Sequence, residues 1–159
     1  MGRSAETPDA IAWNVSAETP ELYQPSTLFR VRKCAGISAS DYIRAQRELQ
    51  QQRRAAESIF EQVDVVITPT TPAAAPKISD LLPLAEPELR GFETKYIMRN
   101  TSPFSVLYWP STSVPCGFTR EGLPVGMQIS GGPGQDATVL RLACAYEQTT
   151  QWHNNTIRR

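Results

Sequence analysis

The chain has 159 residues, 40% of them hydrophobic and 20% charged, which is the length and apolar content of one globular domain with its own core. Sixteen basic and sixteen acidic residues cancel, so no global field gathers nucleic acid or an anionic membrane surface. Cys34, Cys116 and Cys144 are scattered, without metal-like spacing or the density of a small secreted scaffold, and no apolar run approaches the ~20 residues of a bilayer span. A cytoplasmic protein, neither secreted by a visible signal nor membrane-spanning, is expected.

Residues 1–36 read as an irregular N-terminal segment with a short helix near Ala10 to Val15, and residues 37–159 as one domain. A-E-T-P occurs twice, at 5–8 and 17–20, too short an echo for a structural repeat. From Ser38 the pattern changes. Ser38 and Asp41 have the spacing of a capping box, and the following stretch runs without Pro or Gly to about Gln62. Tyr42, Ala45, Leu49, Ala56, Ile59, Phe60 and Val63 recur at helical steps and predict one apolar face. Glu48, Glu57 and Glu61 interleave with Arg44, Arg47, Arg53 and Arg54 on the other, a solvated face of charge pairs rather than a nucleic-acid surface.

Val63 and Val65 to Ile67 form a β-branched run closed by Pro69, which predicts a strand buried between helix layers. The Pro- and Ala-rich residues 73–95 predict a long surface excursion. A second helix is expected from Thr94 to about Tyr108, interrupted near Pro103. Thr112 to Val114 and Val125 to Ile129 predict a hairpin whose loop carries Gly117, Gly122 and Pro124. After a glycine-rich break, Asp136 is the expected N-cap of a last helix with Val139, Leu140, Ala143 and Tyr146 on one side. This order of elements predicts an α/β layered domain.

The chain is poor in catalytic side chains. Its single histidine, His153, lies among polar residues far from any serine-rich turn, and Lys33, Lys77 and Lys95 are its only lysines. A hydroxyl nucleophile needs an adjacent base oriented by a third group, and no such arrangement is legible. Asp64 reads as a cap or a partner for a backbone amide. No Walker-type loop, GxGxxG or metal motif occurs, so no cofactor and no metal site is expected.

Four blocks, "ISASDYIRAQRELQ", "FEQVDVVITPTTPAAAPKI", "NTSPFSVLYWPSTSVPCGFTREGLPVGMQISGG" and "ATVLRLACAYEQTTQWH", resemble in order the C-terminal part of the amidase signature family, over roughly residues 36–153. The resemblance implies the C-terminal portion of an α/β/α layered fold with a mixed β-sheet. It also implies a parent that hydrolyses carboxylic amides through a serine, a second serine joined by a cis peptide bond, and a lysine. Those residues lie in a Gly-Ser-rich signature and a lysine-bearing strand, and neither occurs here, so no catalytic residue is carried over. The expected function is that of a C-terminal amidase fragment, inactive alone, which implies an N-terminal catalytic half as partner, or self-association. The alternatives are a non-catalytic interaction module and a fragment of a glutamyl-tRNA amidotransferase A-type subunit. Against the last stands Met98, where such subunits usually carry an acid.

The family commonly has Gly-(Leu/Ile)-Pro-Ala before the first hairpin strand. This chain has Tyr108, Trp109, Pro110 and Ser111. Tyr108 and Trp109 are therefore the substrate-pocket candidates, with core filling as the competing reading.

Overall fold

The computed structural model describes residues 18–34, 36–81 and 96–154. Helix α1 (Pro25–Cys34) follows a 3-10 turn at Pro20–Leu22. It falls inside the segment read as irregular; Pro20 and Pro25 each sit at a helix start. Proline lacks an N–H that a first turn leaves unpaired in any case. The short helix expected near Ala10 to Val15 lies outside the described residues.

Helix α2 (Ala39–Glu57) begins as the sequence predicts. Ser38 is extended at φ −71° and ψ 151°, and its Oγ accepts from the Asp41 N–H at 3.1 Å while donating to Asp41 Oδ2 at 2.7 Å. A cap of this kind contributes about 1 kcal/mol. The helix ends at Glu57 rather than Gln62, tightening into a 3-10 turn over Ser58–Glu61. Its half-buried positions are Gln46, Leu49, Arg53 and Ala56, a stripe that continues to Phe60, while Tyr42 and Ile59 are exposed. The stripe is thus rotated from the one the apolar residues alone predict, because Arg53 points into it.

Strand β1 (Val65–Pro69) is followed by a helical turn at Ile78–Leu81. Tyr96 and Ile97 are helical and tighten into a 3-10 turn at Met98–Asn100; after Thr101 the chain restarts as helix α3 (Ser102–Leu107) with Pro103 in its first turn, so the helical stretch is interrupted beside Pro103 as expected, while its expected start at Thr94 lies outside the described residues. The hairpin consists of β2 (Ser111–Phe118) and β3 (Pro124–Gly131), both longer than predicted. Its loop closes with Thr119 N–H to Leu123 O at 2.8 Å and with Gly122 at φ 82°, a left-handed value that favours glycine. The sheet order is β1-β3-β2 and both pairings are antiparallel among the described residues.

Helix α4 (Asp136–Thr149) lies over β2 and β3. Asp136 is its first residue, and the N-cap is Gln135, without a side-chain cap bond. Register places Val65, Ile129, Met127 and Val114 on the sheet face toward this helix, since residues directly opposite share a face. There Val114, Ile129, Val139 and Ala143 are buried, with Leu142 and Tyr146 packed against them, while Leu140 turns outward. Ile129 is fully buried, which stabilises the sheet by about 1.5 to 3 kcal/mol.

Candidate functional site

Tyr108 and Trp109 occupy the corner between α3 and β2, and the structure points them apart. Tyr108 caps α3 at φ 60° and ψ 33°, and it is the one non-glycine residue with positive φ among the described residues. This left-handed cap position is ordinarily filled by glycine, for which it carries no steric penalty. A side chain there costs roughly 1 to 2 kcal/mol.

Trp109 turns inward. Only 9% of it is exposed, and its ring meets Phe60 edge-on at 4.6 Å between centroids and Phe104 at 5.9 Å. Its Nε1 is buried without a hydrogen-bond partner among the described residues. Tyr108, by contrast, is 72% exposed, and the Arg53 guanidinium carbon stands 3.8 Å from its ring centroid. Arg53 Nε also donates to Val106 O at 2.8 Å, so a single side chain of α2 grips both the last turn of α3 and its cap.

The sheet face away from α4 carries a polar row. Thr68, Thr70, Ser113, Gln128, Ser130 and Ser111 lie on it, joined by the apolar Val66 opposite Ser130. Ser130 is fully buried and bonds Ser111 Oγ at 2.8 Å, and Gln128 Nε2 donates to Asn100 O at 3.2 Å. Asn100 in turn donates to Pro69 O at 2.9 Å, so the turn before α3 is fastened across this face. Where the row reaches β1, Thr70 Oγ1 and Ser113 Oγ lie 2.6 Å apart over Gly126. A Cβ at Gly126 would stand 2.7 Å and 2.8 Å from those two hydroxyls, so glycine is what lets them meet. Neither the row nor Arg53 stands out as a candidate in the sequence. The signal for the row is the two-residue spacing of Ser111 with Ser113, Gln128 with Ser130 and Thr68 with Thr70, whereas nothing local marks Arg53, whose partners are 53 and more positions away.

His153 is exposed in a 3-10 turn at Trp152–Asn154. It lines an open depression of about 320 Å³ with Cys144, Glu147, Gln148 and Gln151. Cys144 Sγ there accepts from Gln148 Nε2 at 3.5 Å, with no bond to His153 among the described residues. Cys116 and Cys144 are both free. No group of three or more His, Cys, Asp or Glu among the described residues is placed to hold a metal ion, and no described helix is long and apolar enough to cross a membrane.

Comparison with known proteins agrees with this architecture. The profile of the family described as Amidase matches residues 2–140. A fatty acid amide hydrolase of Arabidopsis thaliana is 41% identical over 127 residues, 79% of this chain and 20% of its own length. The A-type subunit of the glutamyl-tRNA(Gln) amidotransferase of Thermodesulfovibrio yellowstonii is 38% identical over 119 residues, 75% of this chain and 23% of its own length. The chain thus spans about a fifth of the length of the curated relatives it matches. The solved structure of 6-aminohexanoate cyclic dimer hydrolase superposes on 94% of this chain and 34% of its own, with a TM-score of 0.76 and 22% identity. A crystal structure of an amidase does so on 89% and 32%, with a TM-score of 0.72 and 24% identity. At such identities the likeness is one of fold, and together with the profile it establishes that the chain belongs to the amidase signature family.

Proposed function

We propose that these 159 residues are the C-terminal structural part of an amide hydrolase, and that they do not catalyse amide hydrolysis alone. The observation that carries this reading is β1. Val65, Val66 and Ile67 make a strand that is apolar on both faces, the pattern of a strand flanked on each side, yet β1 stands at the edge of the described sheet. Ile67 remains 53% exposed there, and only Pro69, at the strand's last position, blunts the edge, since Val65–Pro69 holds no charged residue. An N-terminal catalytic half that adds a strand to β1 and covers Ile67 is the partner this surface suits. It also supplies the serine, second serine and lysine that this sequence lacks.

The relatives include both fatty acid amide hydrolases and amidotransferase subunits at similar identity. A general amidase parent is favoured by Met98 at the position where the amidotransferase pattern is acidic. We place the protein in the cytoplasm, a reading supported by the free Cys116 and Cys144. The test is complementation. The chain alone should give no turnover of simple aryl or alkyl amides above background, and mixing it with a separately made half bearing the Gly-Ser-rich signature should generate activity. Turnover by the chain alone, abolished by substituting one of its own serines, would overturn the proposal.

A further inference from the structure

Arg53 and Tyr108 form a pair that the fold maintains against a backbone preference. The left-handed φ at Tyr108 would be free of strain with glycine, yet the chain carries an aromatic ring there and leaves it 72% exposed. Arg53 lies over one face of the ring at 3.8 Å, and it is fixed in place by its Nε bond to Val106 O. An exposed cation–π contact at best matches the strain it accompanies. Stability therefore does not account for the tyrosine.

The charge of Arg53 is also unspent. Among the described residues Arg53 makes no ion pair, and the one surface pair in its helix joins Arg44 to Asp41. Glu57, one turn further along α2, is exposed and forms no ion pair with it among the described residues. Its remaining guanidinium N–H groups form a planar fork of the kind that accepts a carboxylate through two parallel bonds. A guanidinium fork beside a solvent-facing ring presents two unlike features side by side, one for an anion and one for an apolar group.

We propose that the Arg53–Tyr108 corner is a binding site for a small carboxylate that carries an apolar or aromatic tail, with the carboxylate on the Arg53 fork and the tail on Tyr108. Arg53 has a double part, as ligand and as the positioning residue that holds the ring. This inference stands on the geometry of the corner and does not depend on amide turnover.

The probe is 4-phenylbutanoate, with 4-phenylbutanamide as its uncharged counterpart, titrated into the chain while the backbone amide resonances of residues 53 and 106–109 are followed by NMR. Saturable shifts at Tyr108 are expected, with the amide at least about tenfold weaker. Arg53→Gln and Tyr108→Gly should each weaken the carboxylate about tenfold or more, and Tyr108→Phe should bind within about twofold of the parent. Circular dichroism of each variant checks that the fold persists, and Tyr108→Gly relieves rather than adds strain. Absence of saturable shifts, equal affinity for the acid and the amide, or affinity unmoved by both substitutions would each overturn the site. Amide hydrolysis by the complemented protein, measured separately, decides the amidase proposal without touching this one.

Discussion

Replacing Trp109 by alanine separates the two roles open to it. The side chain is nine-tenths buried and closes an aromatic cluster with Phe60 and Phe104, so its removal empties a site between α2, α3 and β2. Emptying an aromatic core position typically costs ~3 to 5 kcal/mol. One term opposes this. The Nε1–H is buried without a partner among the described residues, and deleting it returns part of a desolvation penalty of ~1 to 3 kcal/mol. The net loss expected is about 2 to 4 kcal/mol, a fall in Tm on the order of 5 to 15 °C for a domain of this size. Trp109→Phe keeps a ring against Phe60 and removes the unpaired donor, so it should cost less than about 1.5 kcal/mol. Urea unfolding followed by circular dichroism reads both variants. If Trp109→Ala loses under about 1 kcal/mol, and the complemented enzyme instead changes its preference among amides, the packing argument is refuted and Trp109 is a pocket wall.

Three further outcomes follow from the same structure. Gly126→Ala should destabilise the sheet by ~1 to 3 kcal/mol through collision with Thr70 and Ser113, and Gly126→Ala combined with Thr70→Ala and Ser113→Ala should recover most of that loss in a mutant cycle. Ser38→Ala should cost about 1 kcal/mol and lower the 222 nm ellipticity of α2, whereas Ser38→Asp should leave it nearly unchanged. In hydrogen exchange of the isolated chain, the amides of Ile129 and Ser130 should be the most protected and those of α2 far less so, with light scattering reporting association through β1. A monomer whose Val65, Val66 and Ile67 amides are as protected as Ile129 would show that the chain closes its own core.

Local chemistry is what the sequence by itself determined. The Ser38 cap, the Gly- and Pro-free run after it, the β-branched stretch ahead of Pro69 and the turn residues of the hairpin each act within a few positions. Their elements consequently appear close to where they were read. Family membership was legible for the same reason, since the blocks that carry it are continuous in sequence. Boundaries went astray where a residue type has two uses. Proline breaks a helix interior but starts a helix at its first turn, which is why α1 was not expected, and Asp136 moved one place because Gln135 took the cap.

Tertiary structure alone decided the corner. Tyr108 and Trp109 are adjacent and chemically alike, and no local rule says that one faces solvent and the other the core. That follows from the left-handed cap of α3 and from Phe60 arriving out of the turn that precedes β1. Arg53 acquires its partners across more than fifty residues, and Thr70 meets Ser113 only because β3 lies between their strands and offers a glycine. Contacts of that span depend on strand order and register, and these are set by which faces are buried together rather than by any neighbour in the chain.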